Sequence, residues 1–226
     1  SLVERQVDGI VFVAAGANPQ QVQRLVDHDV PVVVIDRELP GVDVDVVLAD
    51  NLAGGKLATS HLCELGHRRI ACVTGPSELT LSAQRVIGYR EVLHIYAIPY
   101  DEQLVVRGAF DYASGQRAVD QLLQLHNPPT AIFACNDVMA AGVLRGLQAV
   151  GLRCPEDISV VGFDNAPIST YTNPPLTTVA QPIGAFGQSA IKMLLDRIAD
   201  KELPLRRKLL ETQLFVRGST AAVKHV

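Results

Sequence analysis

The sequence predicts an α/β fold in two lobes, each a parallel sheet flanked by helices, and three observations lead there. Residues 130–167 read as strand, polar corner, helix, strand and polar corner, which is one βαβ unit. In it, residues 131–135 and 158–162 are short apolar runs suited to strands buried on both faces. Residues 138–150 carry apolar side chains at helical spacing until Gly151 stops them. A right-handed crossover makes the two strands parallel and puts both carboxyl ends on one edge of the sheet, where open α/β sheets bind ligands. Asn136 and Asp164 stand at those ends. The second observation is that the same βα alternation recurs along the chain. The third is that its strands fall into two groups, beginning near Val7, Val32 and Val46 and near Ile70, Gln103, Ala131 and Ile158. Two sheets are more natural than one of seven strands.

Taken in order, residues 2–6 read as the end of a helix and 7–13, VDGIVFV, as a buried strand. A loop over 14–18 precedes Pro19, which opens a helix over 20–28, and 30–35, VPVVVI, is the next strand. Asp36 and Arg37 stand at its carboxyl end. An acidic, turn-prone stretch leads to a strand over 46–49, after which Asp50 or Asn51 caps a helix running to Leu65 and closed by Gly66. From Arg69 the pattern begins again. A strand over 70–74, the Gly75-Pro76 turn, a helix over 82–95, a strand over 103–106 and a helix over 112–125 lead to the stop at Asn127-Pro128-Pro129. Beyond Asp164 come a Pro-rich extended segment over 172–182 and an amphipathic helix over 183–199. Residues 209–216 alternate like an edge strand. With the helix at 183–199 crossing back, the first lobe is expected to comprise residues 1–66 plus 182–209, and the second 67–181 plus 210–226. A cleft between lobes is a usual place for a small ligand.

With 226 residues and 48% hydrophobic content the chain buries a large core. A net charge of −4 gives no bulk electrostatic footprint for nucleic acid, so DNA contact must come from a part outside these residues. Cys63, Cys72, Cys135 and Cys154 have no CxxC spacing and mostly lie in apolar runs, as reduced thiols of a cytoplasmic protein do. Neither a secretory leader nor a bilayer-spanning run is legible.

The order of motifs resembles the effector-binding core of the lac-repressor (LacI) family of bacterial transcription regulators and, beside it, the periplasmic ribose-binding protein. The resemblance covers nearly the whole chain. It is carried by VDGIVF at Val7, PVVVIDR at Pro31, LADNLAGGKLA at Leu48, LGHRRIACVTGP at Leu65, SAQRVIGYRE at Ser82, FACNDVMAAG at Phe133, EDISVVGFDN at Glu156 and PPLTTVAQP at Pro174. It implies a periplasmic-binding-protein-like fold. Family members begin with a helix-turn-helix headpiece, then a strand, a helix and a second strand before the equivalent of Leu2. The resemblance therefore implies a first lobe without its opening strands in this chain, and operator DNA bound through an N-terminal headpiece that these residues lack. It further implies a homodimer, a small-molecule effector, no cofactor and no membrane partner.

A sugar offers hydroxyls that both donate and accept and a weakly apolar ring face. Its site needs carboxylates, amides, Arg forks and an aromatic platform. Asp36 and Arg37 match the IDR corner of ribose-binding relatives, against a plain surface pair closing a strand. Arg85 in SAQR matches the family's ligand-facing arginine, where periodicity alone would leave an exposed helix residue. Phe110 is placed to cover a sugar ring or to pack in the core. One of Asn136 and Asp137 caps the helix they open, and capping is assigned to Asp137, with ligand binding to Asn136. Asp164, beside Asn165, chelates two hydroxyls or closes an Asx turn. Gln181 matches the TVAQ of ribose-binding proteins, and Asp50 matches an effector-holding position that helix capping explains equally well. Together Asp36, Arg37, Asp50, Arg85, Phe110, Asn136, Asp164 and Gln181 imply ribose or a similar pentose as effector. Leu79, where purine-responsive members carry arginine, argues against a purine.

Other signals carry less. His61 and His67 lack a second pair of ligands, so no metal site is expected. Gly54-Gly55-Lys56 lacks the first glycine and the closing Ser or Thr of a phosphate loop. With GxGxxG, GxSxG and HExxH also absent, an enzyme is not expected. The alternative to a regulator is a periplasmic ribose receptor feeding a transporter.

Overall fold

The computed structural model describes residues 7–14 and 18–223. The helix end expected over 2–6 lies outside them, as does most of the loop after the first strand. The chain divides into two compact units, Ser1–Asp50 with Pro182–Glu211, and Asn51–Gln181 with Thr212–Val226.

The first unit holds β1 (Ile10–Val13), α1 (Pro19–Asp27), β2 (Val32–Ile35), β3 (Asp45–Ala49), α7 (Ile183–Ala199) and β9 (Arg207–Leu210). Its sheet runs β1-β2-β3-β9 with every pair parallel. The valine-rich runs form strands because β-branched side chains suit a pleat covered on both faces. Alternation then divides them. Val32, Val34, Val46 and Leu48 meet Val22 and Leu25 of α1, while Val33, Val47 and Ala49 meet Phe186, Ala190 and Met193 of α7. Helix α1 starts where the chemistry dictates, with Pro19 in its first turn and Asn18 Oδ1 accepting from Gln20 N at 3.0 Å.

At the amino end of β3 the Asp45 side chain is fully buried. It pairs with Arg197 at 3.0 Å and Arg206 at 2.8 Å, which ties α7 and the approach to β9 onto the sheet. Burial works to raise the Asp45 carboxyl, but the hydrogen bonds from the two guanidiniums prevail and leave it below the usual range.

The second unit holds α2 (Asn51–Glu64), β4 (Ile70–Thr74), α3 (Thr80–Ile95), a 3₁₀ turn, β5 (Val105–Arg107), α4 (Tyr112–Leu123), β6 (Ala131–Ala134), α5 (Asp137–Ala149), β7 (Ser159–Asp164), α6 (Ile168–Tyr171), β8 (Thr177–Ala180) and β10 (Gln213–Phe215). Its sheet runs β10-β8-β7-β6-β4-β5, parallel throughout except where β10 pairs antiparallel with β8. Both units are thus α/β, with predominantly parallel sheets flanked by helices.

Two expectations are corrected. The boundary expected after Gly66 falls after Asp50, because α2 packs against α3 so closely that a Cβ on Gly55 would stand 2.3 Å from Arg85 O. Only glycine permits that approach, so Gly55 is a helix-packing device, while Gly54 lies against the ring of Phe163 in β7. The single strand expected over 209–216 is two strands. β9 lies on β3 of the first unit and β10 on β8 of the second, so the last crossing follows Glu211 rather than Leu209.

Candidate functional site

In each unit the predicted residues stand at or just past the carboxyl ends of strands, except Arg85, which lies in α3. In the first unit Asp36 follows β2 with φ +83°, its N–H donating to Val47 O at 3.0 Å. Arg37 donates from Nε to Ala14 O at 2.6 Å, which fastens the end of β2 to the loop after β1. Asp50 follows β3 and donates from its backbone N–H to Leu210 O at 2.8 Å. All three side chains are half-buried.

In the second unit the predicted residues are linked through their side chains. Gln181 Nε2, past the end of β8, donates to Asp164 Oδ1 at 2.7 Å, and Arg85 Nη2 stands 3.8 Å from the same oxygen. Arg85 is 3% exposed. Its guanidinium lies 3.6 Å from the ring centre of Phe163, donates to Asn51 Oδ1 at 2.9 Å, and donates to Cys135 O. The exposed helix position that periodicity alone suggested is thus ruled out. Arg85 is a buried brace joining the start of α2, the end of β6 and the end of β7. A buried guanidinium needs such partners, since an unpaired one would carry a desolvation cost of several kcal/mol.

The cap assigned to Asp137 from sequence is supplied by Asn136 instead. Asn136 caps α5, accepting from Met139 N at 2.8 Å, and its amide donates to Phe110 O at 3.1 Å. Asp137 does no capping. Its carboxyl is wholly buried and accepts from Thr178 Oγ1 at 2.6 Å and from Ala166 N at 2.7 Å, so it joins α5 to β8 and to the turn after β7. Burial pushes its pKa up to about 7, against these two hydrogen bonds and with the help of the Asp164 charge. Either residue type caps well, and only the tertiary position of Thr178 and Ala166 decides between them.

Backbone strain gathers at the same ends. Asp36, Phe110, Asp164 and Asn165 are non-glycine residues with φ of +83°, +60°, +110° and +54°. Each such conformation costs on the order of 1–3 kcal/mol and persists only where the surroundings enforce it, commonly at ligand sites. The ring of Phe110 is seated on Gly75, where a Cβ would stand 2.1 Å from its Cζ. The glycine of the Gly75-Pro76 turn is therefore a seat for an aromatic face.

Sequence reasoning missed Asn51, Asp137 as a buried carboxyl, and Arg217, which donates to Asn165 Oδ1 at 2.6 Å and Leu176 O at 2.7 Å. Asn51 carried a signal as one of two cap candidates, but nothing near it announced Arg85. His67 is buried, with ring nitrogens 2.9 Å from Thr130 Oγ1 and 3.1 Å from Ser159 Oγ and Ala221 O, so it fastens the chain's last segment. Among the described residues no group of side chains has the make-up of a metal site, and no helix is long and apolar enough to cross a membrane.

The model of the periplasmic binding protein-like domain matches residues 59–220. The HTH-type transcriptional repressor CytR of Escherichia coli strain K12 is 36% identical over 223 residues, 98% of this chain and 65% of the repressor. The HTH-type transcriptional regulator CelR of Thermobifida fusca is 39% identical, over 96% of this chain and 65% of the regulator. The chain thus spans a little under two thirds of the length of these relatives. Among solved structures, a CelR–cellobiose complex is 39% identical with a TM-score of 0.88, covering 96% of this chain and 67% of that one. A LacI family transcriptional regulator from Enterococcus faecium with bound ribose is 34% identical with a TM-score of 0.86, covering 99% and 83%. The chain belongs to the LacI family of transcription regulators, of which it carries the periplasmic-binding-protein-like domain.

Proposed function

We propose that the chain is the effector-binding and dimerisation core of a cytoplasmic, sugar-responsive transcription regulator, and that its effector is ribose or a similar pentose. The residues that hold or position the sugar are Asp36, Arg37 and Asp50 of the first unit and Arg85, Phe110, Asn136, Asp164 and Gln181 of the second. It is a binding protein and not an enzyme. The observation that carries this reading is the Asp164 carboxylate, held at a strand end between Gln181 Nε2 at 2.7 Å and Arg85 Nη2 at 3.8 Å. A carboxylate so placed accepts from vicinal hydroxyls while the neighbouring amide and guanidinium donate in return, and Phe110 offers an apolar face. The ribose-bound relative supports a pentose. The cellobiose complex of a relative supports a disaccharide, which is the competing reading for the same residues.

In operation the sugar shifts an equilibrium between forms of a homodimer by its differential affinity for them. The coupling to operator DNA, held by an N-terminal helix-turn-helix headpiece, is reciprocal. A periplasmic receptor is less favoured, because the named relatives are transcription regulators.

Calorimetry with ribose, arabinose, cellobiose and hypoxanthine tests the reading. Ribose is expected to give saturable heat. Asp164→Asn, which keeps the shape and tolerates a positive φ, is expected to cost about 2–3 kcal/mol of binding, roughly one and a half to two decades in affinity. Heat with cellobiose and none with either pentose overturns the pentose assignment. Full ribose affinity in the Asp164→Asn variant overturns the site.

A further inference from the structure

The turn that carries Asp164 is held by one buried carboxyl. Asp137 Oδ2 accepts from Ala166 N at 2.7 Å, and Asp137 Oδ1 accepts from Thr178 Oγ1 at 2.6 Å. Thr178 Oγ1 in turn accepts from Asn165 N at 3.3 Å. Both residues after Asp164 therefore hang on Asp137, one directly and one through a hydroxyl. Gly162 of β7 makes the room, since any Cβ there would collide with Asp137 Oδ1. The backbone so held is the strained pair, Asp164 at φ +110° and Asn165 at φ +54°, a conformation that persists only where its surroundings enforce it.

The two protonation states of Asp137 do not hold this turn equally. A carboxylate accepts from both donors at once. A neutral acid puts a hydrogen on one oxygen, so either the Ala166 N–H loses its acceptor or the Thr178 hydroxyl turns to accept and its own hydrogen is left without one. A buried donor without an acceptor is unfavourable. Burial works the other way and, with the Asp164 charge, brings the pKa up to about 7, so both states are populated near neutrality. Arg217 is the cation that acts on Asp137, in favour of its charge. The other elements around it add no buried charge. β6 and β8 have no titratable side chain, that of α6 is the exposed Tyr171, and Arg117 and Asp120 of α4 and Arg145 of α5 itself are exposed.

We propose that Asp137 is a positioning residue for the effector: its carboxylate holds Asp164 ready for the sugar's hydroxyls, so binding releases the Asp137 proton to solvent and affinity rises with pH. This rests on the reading of Asp164 as a sugar ligand. Stability and affinity then run in opposite senses. The neutral form of Asp137 is the one that folding favours, and the charged form is the one that binds. A residue with a structural role alone would move both in the same sense.

The test has two arms. In the unliganded chain, the Ala166 backbone amide and the Gln181 side-chain amide, which reaches Asp164 Oδ1 at 2.7 Å, are followed by amide NMR between about pH 5.5 and 8.5. Both are expected to titrate with one midpoint near 7, to move it upward in Thr178→Val, which removes a bond to the carboxylate, and to lose it in Asp137→Asn. In the second arm, ribose affinity by calorimetry is expected to rise about tenfold over that range in the parent and to stay at its low-pH level in Asp137→Asn. Absence of ribose heat counts against the pentose alone, and the first arm then decides. The proposal is overturned if the two amides share no inflection that Asp137→Asn removes, or if ribose binds the parent no more tightly at high pH than at low.

Discussion

Two buried aspartates, one in each unit, solve the same problem in opposite ways. Asp45 stands at the amino end of β3 and is met by two guanidiniums, so it is held charged and its carboxyl lies below the usual range. Asp137 stands at the start of α5, beneath the turn that follows Asp164, and its hydrogen-bond donors are the neutral Thr178 hydroxyl and the Ala166 amide. With burial unopposed by a paired cation its pKa rises to about 7. The comparison separates two uses of a carboxyl. At the amino end of its strand, charge is fully compensated and serves folding. Near the carboxyl ends of the second unit's strands, a group is kept on the edge of ionisation and the backbone is strained at Phe110, Asp164 and Asn165.

The difference has a pH consequence of opposite sign in the two places. Asp137 binds its proton more readily folded than unfolded, so its contribution to stability is present below its unfolded value near 3.8 and is lost as pH rises to about 7. That span corresponds to about 4 kcal/mol. Asp45 contributes above 3.8, and its share is lost only as pH falls through its lower folded value. Burial lowers the pKa values of His61 and His67, which act in the opposite sense over the same range, so the Asp137 share is read as a difference. In urea denaturation across pH 4 to 7 the parent should lose stability relative to Asp137→Asn, which cannot ionise, as pH rises. A parent-to-variant difference that stays constant with pH would break the comparison.

A smaller effect is expected at the other carboxyl. Asp45→Ala leaves Arg197 and Arg206 without their buried partner, and should cost about 3 kcal/mol at neutral pH by denaturant unfolding. A loss below ~1 kcal/mol would mean that the ion pairs do no more than surface pairs do. The smallest effect sharpens the division of labour at α5. Asn136→Ala should cost about 1 kcal/mol through loss of the cap and leave the pH slope intact, since the ionising group is its neighbour.

The sequence made the sheets legible because runs such as VVVI and AIFA have no use other than strands buried on both faces. It also located the strand ends, and with them Asp164. What it concealed depends on partners distant along the chain. Alternation continues through residues 207–215, so nothing local marks that β9 and β10 join different sheets. The allegiance of α2 rests on the approach of Gly55 to Arg85 O, and the choice of Asn136 rather than Asp137 as the cap rests on Thr178. Arg85 looked like a surface residue because a guanidinium is buried only when its partners, here Asn51 and Cys135 O, are already in place.

The most direct measurement of the central claim is a crystal structure of the chain grown with ribose. The account predicts a sugar with two adjacent hydroxyls within hydrogen-bonding distance of the Asp164 carboxylate and its ring against Phe110. Ribose bound at a site that Asp164 does not touch, or a crystal saturated with ribose in which Asp164 meets none, would contradict it.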